Sequence, residues 1–228
     1  MEIVDKIPIE LDTGEIIRTQ KLGKVREAEV DALVERAATL IESRAVYSLK
    51  EVTRVGDDEV QLEGGHTFKS LVLADNLKQG QTVAVYAVTI GPKLEKKASE
   101  VAKSSILQSF VFEKIADFAV SKARDYVKGL IESELGGKVS SFGPGTGTGI
   151  LFDIKQQKVL FKILDPMKSI GVQLSSSYLM IPRKSVSGVF ASIDEEYVAC
   201  QYCPKKCDGR RAAFIGKYRS INCEHKLP

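Results

Sequence analysis

The 228 residues contain no tryptophan, only two histidines, and no cysteine before position 200. Each gap removes a class of chemistry. His66 and His225 lack a second ligand at metal spacing, so neither reads as a metal ligand or a catalytic base, and no Ser-His-Asp or Cys-His arrangement can be argued from spacing. No apolar run approaches the ~18 residues of a membrane helix, so no membrane partner is expected. The start, MEIVDKIPIELD, carries acidic residues where an export signal would place positive charge ahead of an apolar stretch, and the chain reads as cytoplasmic. The phosphate-loop ending Gly-Lys-Ser/Thr is also missing. GPGTGTG, residues 143 to 149, is met by no clear strand and starts no helix at its last glycine, which argues against a nucleoside triphosphate site. What such glycines do allow is a backbone lying close against a flat or charged ligand.

What is present describes a globular chain. Hydrophobic residues make up 43% and charged residues 28% of the sequence, and a chain of this length buries roughly 70% of its unfolded surface without needing a staple. The expectation is one core (1-199) with a basic, cysteine-containing tail (200-228). Residues 201 to 228 hold seven Lys/Arg and two Asp/Glu, net +5, so with +3 overall the rest sums to −2. Cys200, Cys203 and Cys207 fall within eight positions, and Cys223 follows. A reducing compartment disfavours a disulfide framework and favours ligation or redox chemistry for them.

Periodicity gives the elements. Ile7, Ile9 and Leu11 alternate with polar neighbours before an Asp12-Thr13-Gly14 turn, predicting a short strand. Val30, Leu33, Val34, Ala37, Leu40 and Ile41 recur at helical spacing and predict a helix from Ala28 to Ser43. Val46–Val55, Glu59–Leu62 and Thr67–Leu73 read as an antiparallel meander, and Thr82–Thr89 as a strand covered on both faces. Pro92 opens a helix over Lys93–Lys103, and a longer helical stripe runs from Ser104 to Leu135, long enough at ~45 Å to be broken in two. Asp153 caps a helix ending at Leu164, Asp165-Pro166 turns, and strands follow at Gly171–Leu174, Ser185–Ala191 and Tyr197–Gln201. This irregular order predicts an α+β fold with a mixed, mainly antiparallel sheet.

Residues 170 to 190, IGVQLSSSYLMIPRKSVSGVF, resemble the activation domain of cobalamin-dependent methionine synthase. The family's Pro-Gly-Tyr loop, its helix with Gln and Leu, its Ile-Gly-Val-x-Leu-Thr-Glu-Ser strand and its Pro-x-x-Ser-Val-Ser-Gly segment have counterparts in Pro144-Gly145-Thr146, Gln157 with Leu160 and Leu164, Ile170–Ser177 and Pro182–Gly188. Thr89-Ile90-Gly91, Leu94-Glu95 and Phe112-Glu113-Lys114-Ile115-Ala116-Asp117 are similar to segments of stand-alone members. The likeness covers most of residues 80 to 200. It implies the family's fold and the presentation of S-adenosylmethionine to the cobalt of a partner's cobalamin. It also implies a ligand contact for Glu113 and for the loop Gly143, Pro144, Gly145 and Thr146, with Ser185, Val186, Ser187 and Tyr197 as further cofactor-binding candidates. The family's arginine three residues before the loop proline falls on Ser141, its loop tyrosine on Thr146, and its Leu-Thr-Glu-Ser glutamate on Ser176.

The cysteines lie where this resemblance stops. Cys200, Cys203, Cys207 and Cys223 supply four thiolates, enough for a [4Fe–4S] cluster or a tetrahedral zinc, and the reading without metal stays open. Lys205, Lys206, Arg210 and Arg211 would lower thiolate pKa values and balance a cluster's negative charge. Three functions compete. The first is reactivation of a corrinoid methyltransferase with S-adenosylmethionine, an electron, or both, drawing on an electron donor. The second is a non-catalytic adaptor docking a corrinoid protein or its reductase through a metal-stapled basic tail. Nucleic-acid binding ranks below both, because Tyr202, Phe214 and Tyr218 are the tail's only stacking residues.

Overall fold

In a computed structural model that describes residues 1–146, 151–194, 196–203, 206–207 and 210–215, the chain begins with strand β1 (Glu2–Asp5) and helices α1 (Thr13–Thr19) and α2 (Glu27–Ala38). There follow β2 (Arg44–Val55), β3 (Glu59–Leu62), β4 (His66–Lys69), α3 (Leu71–Asn76), β5 (Thr82–Thr89), α4 (Lys93–Val101), α5 (Ile106–Leu135) and β6 (Ser140–Phe142). A 3₁₀ turn (Ile154–Gln156) leads into α6 (Gln157–Leu164), then α7 (Pro166–Ile170), β7 (Gln173–Leu174), β8 (Met180–Ile181), β9 (Ser185–Ala191) and a last 3₁₀ turn at Ala199–Gln201.

Seven strands form one sheet in the order β4-β3-β2-β5-β9-β6, with β1 pairing on β2, and β7 and β8 form a separate pair. The pairs β1–β2, β2–β3, β3–β4, β6–β9 and β7–β8 are all antiparallel, so the fold is the α+β class expected. The chain divides into two compact units whose segments interleave. The first contains Met1–Tyr47, Tyr86–Leu130 and Leu164–Val186; the second contains Ser48–Val85, Ile131–Ile163 and the described residues from Ser187 onward. Strands β2, β5 and β9 each pass from one unit into the other. Ile16, Val30, Ile90, Val111, Phe112 and Ile115 are fully buried in the first; Phe68, Val83, Phe142, Phe152 and Phe190 centre the second, with Phe68 edge-on to Phe152 at 5.7 Å. Burial of each such side chain stabilises the fold by about 1.5–3 kcal/mol.

Several expectations are corrected. The N-terminal strand is Glu2–Asp5 and not Ile7–Leu11, while Asp12-Thr13-Gly14 opens α1, because Asp12 Oδ1 accepts the Glu15 amide at 2.5 Å and so acts as an N-cap. Helix α2 ends at Ala38, short of Ser43, since Arg44 already pairs with Asp5 across β1 and β2. The strand expected over Thr67–Leu73 stops at Lys69, where Ser70 Oγ accepts the Leu73 amide and starts α3. Helix α5 is continuous over 30 residues, because nothing in its interior breaks it: there is no proline, and Gly129 costs a helix only about 1 kcal/mol. Asp165-Pro166 is the start of α7 rather than a turn alone, and Tyr197–Gln201 forms no strand but leads into a 3₁₀ turn. The Asp153 cap holds, its Oδ1 accepting the Lys155 amide at 2.7 Å. Gly147, Lys205, Tyr218, Cys223 and His225 lie outside the described residues.

Candidate functional site

In the first unit the site grows from α5. Val111, Phe112, Ile115 and Ala116 turn inward, which leaves Glu113 at the border of the buried stripe, half-covered. Two cations reach it from the segment that follows β8 and the cis Ile181–Pro182 bond. Arg183 Nη2 lies 2.9 Å from Glu113 Oε1, and Lys184 Nζ lies 2.7 Å from Glu113 Oε2. Lys184 also donates to Asp117 Oδ1 at 2.6 Å, and Arg183 is shared with Glu95 of α4 through its amide at 2.8 Å and its Nε at 3.4 Å. Partial burial pushes the Glu113 carboxyl up, but the Lys184 ammonium and the Arg183 guanidinium outweigh it and hold the group below its ordinary value. Burial likewise opposes charge on Lys184, and Asp117 and Glu113 overcome it, so its ammonium titrates above the usual range. Ser185 sits beside this cluster in sequence but bonds inward, its hydroxyl donating to Pro182 O at 2.7 Å and lying within hydrogen-bond distance of Thr89 Oγ1 at 3.0 Å. Val186 is half-buried on β9.

In the second unit, β6 runs into the glycine turn, a strand the sequence did not reveal. Thr146 closes the turn on Gly143, with its amide at 3.3 Å and its hydroxyl at 2.7 Å from the Gly143 carbonyl. Gly145 has φ of 80° and donates its amide to Phe152 O at 2.7 Å; a Cβ there would stand 2.8 Å from Ile154 Cδ1. Pro144 is buried while Gly145 and Thr146 are exposed. Tyr197 stacks on Phe142 at 4.6 Å and on Tyr202 at 5.4 Å, and its amide donates to Ser140 Oγ. Burial pushes its phenol up to about 12, with the hydrogen bond to Thr146 opposing. Ser187 Oγ donates to Gln157 Oε1 at 2.7 Å, both side chains buried.

The cysteine segment belongs to this second unit. Arg210 folds it on itself, donating to the carbonyls of Cys200 at 2.8 Å, Cys203 at 2.6 Å and Ala212 at 3.2 Å. The Arg211 amide lowers the Cys200 thiol pKa foremost; burial opposes it, and the Arg211 and Arg210 charges and the Ala212 amide add to the lowering. Cys200, Cys203 and Cys207 form no disulfide, and among the described residues no three His, Cys, Asp or Glu side chains gather as a metal site.

Glu113, Ser185 and Val186 thus belong to the first unit, and Gly143, Pro144, Gly145, Thr146, Ser187, Tyr197 and the described cysteines to the second. Sequence reasoning missed Arg183 and Lys184 as partners of Glu113. The signal was the paired cation inside the Pro182–Gly188 segment, which spacing could not connect to a helix about 70 residues away.

The family described as vitamin B12 dependent methionine synthase, activation domain, matches residues 57–206. The chain belongs to this family. Among solved structures it is similar to a crystal structure of the MetH reactivation domain bound to AdoHcy, with a TM-score of 0.60 at 17% identity, covering 80% of this chain and 68% of that one. At that identity the likeness establishes the fold. No curated protein matches the chain. Among the described residues no helix is long and apolar enough to cross a membrane.

Proposed function

We propose that this chain reactivates a corrinoid methyltransferase such as methionine synthase in the cytoplasm, acting on a separate partner that carries the cobalamin. It would present S-adenosylmethionine, an electron, or both to inactive cob(II)alamin. The observation that carries this reading is membership of the activation-domain family over residues 57–206. One electron from a reductant would convert cob(II)alamin to cob(I)alamin, and transfer of the sulfonium methyl to it, forming the Co–CH3 bond as the S–CH3 bond breaks and S-adenosylhomocysteine leaves, would draw that unfavourable reduction forward.

In the first unit we assign Glu113 to a cationic group of the ligand. The site fits that role, because Glu113 is held ionised and one of its two cations is replaceable. The Arg183 side chain is 60% exposed and keeps Glu95 if displaced, whereas Lys184 is 12% exposed and fixed between Glu113 and Asp117. Removing Arg183 therefore frees a carboxylate oxygen: Arg183→Gln is expected to tighten S-adenosylmethionine binding about threefold, and Glu113→Gln to weaken it about tenfold, read by calorimetry. In the second unit we assign the turn at Gly143, Pro144, Gly145 and Thr146, together with Ser187 and Tyr197, to close backbone approach of a ligand.

An alternative role, a non-catalytic adaptor, is favoured by Ser141 and Thr146, which stand where the family has an arginine and a tyrosine; the Thr146 hydroxyl donates to Gly143 O. One experiment separates the two. The chain is mixed with a corrinoid methyltransferase in its cob(II)alamin form, S-adenosylmethionine and a low-potential reductant, and methylcobalamin is followed by absorbance. Methylation that requires both the chain and the methyl donor supports reactivation. Complex formation without methyl transfer supports the adaptor, and a chain that neither methylates nor forms a complex overturns both readings.

The electron route is assigned to Cys200, Cys203 and Cys207 with Cys223, holding an iron–sulfur cluster or, alternatively, zinc. Support comes from the amide bonds and arginine charge around Cys200, which suit a thiolate ligand. Anaerobic purification with metal analysis tests it. Iron with broad absorbance near ~400 nm is expected, zinc would move the role to a structural staple, and protein free of both overturns the site.

A further inference from the structure

One cavity is lined by none of the candidate site residues, and its lining lies outside the 57–206 span that the family matches. It occupies about 630 Å³ within the first unit, between the strings Asp5 to Leu11 and Ala38 to Arg44. That volume falls in the range of about 300–1,000 Å³ typical of small-molecule pockets. Ile7, Ile9, Leu11, Ala38 and Ile41 supply apolar wall. Behind it the two strings are tied together, the Ile7 amide donating to Ser43 O at 3.2 Å and Ser43 Oγ donating to Ile7 O at 2.7 Å.

The rim decides the ligand's charge. Its carboxylates are already committed, Asp5 to Arg44 at 2.5 Å and Glu42 to Lys93 at 2.7 Å. Lys6, exposed and held at φ of 56° where the chain leaves β1, has no carboxylate partner among the described residues. One positive charge is therefore left over at the mouth of an apolar hollow. We propose that this cavity binds a small amphipathic anion, an apolar body seated on Ile7, Ile9, Leu11 and Ile41 with its single carboxylate or sulfonate at Lys6. A cationic ligand would have to break an existing ion pair to be accommodated, and an uncharged one would leave Lys6 unused.

Fluorescence titration of the full chain with anilinonaphthalene sulfonate tests this, with near-ultraviolet circular dichroism recording that each variant keeps its packing. Saturable one-site binding is expected, weakened about threefold by Lys6→Gln, a size suited to one exposed ion pair, and reduced at least about tenfold by Ala38→Trp, whose indole fills the hollow. Ile9→Asp, which places a charge on the wall, is a second route to the same loss should Ala38→Trp fail to fold. Binding indifferent to all three variants overturns the proposal, as does equal binding of the uncharged parent anilinonaphthalene. Absence of saturable binding, with the cavity covering only a protein partner, overturns it too.

Discussion

At the scale of single residues, the most informative group is Glu113, whose charge state is tied to folding. Its folded-state pKa is depressed by Lys184 and Arg183 against the opposing effect of burial, so its stabilising contribution is complete above the ordinary carboxyl value and is lost as pH falls through the lower folded value. Between about pH 6 and about pH 3, wild type is expected to lose more stability than Glu113→Gln, and the urea midpoints of the two should converge at the acid end. At neutral pH the substitution is expected to cost about 1 kcal/mol, since the carboxylate is only half-covered. Gly145 is a second such residue. Its left-handed φ and the 2.8 Å approach of a Cβ to Ile154 make Gly145→Ala a change with two penalties, expected to cost about 2 kcal/mol and to lower the melting midpoint by several degrees. Sequence reading singled out both positions. It could not supply the reason for either, because Arg183 and Ile154 reach them only in the folded chain.

At the scale of elements, periodicity was decisive where an element was long. Thr82–Thr89 and Ser185–Ala191 agree with the structure end to end, and α5 begins within two residues of its expected start. Among short elements, Glu59–Leu62 also agrees end to end, and the misread ones are those in which capping outweighs propensity. Asp12 and Ser70 each convert an expected turn or strand into a helix through one side-chain acceptor. Helix α6 shows how an element is tied to its surroundings: Gln157, 3% exposed, accepts the Ser187 hydroxyl. Ser187→Ala leaves that buried carbonyl unpaired and is expected to cost about 1–3 kcal/mol, measured by denaturant unfolding, whereas the double variant Ser187→Ala with Gln157→Leu should recover part of the loss.

At the scale of the whole molecule, the proposed reactivation requires a cobalamin-carrying partner, and the charge distribution gives that proposal a measurable form. The net +5 over residues 201 to 228 against −2 for the remainder favours an acidic surface on the partner. Association should weaken steeply as ionic strength rises from about 0.05 M to about 0.5 M, and a salt-independent association rate would argue against docking through the tail. By itself the sequence determined the class of fold, the family, the long elements and the types of side chain available for chemistry, because hydrophobic period, turn residues and motif spacing are local properties of a chain. Only the tertiary structure decided that Arg183 and Lys184 neutralise Glu113, that Tyr197 stacks on Phe142, and that a hollow with one spare cation opens near the N-terminus. Those are contacts between residues far apart in sequence, set by how the strands pair and how the helices cover them, and no local pattern encodes such distances.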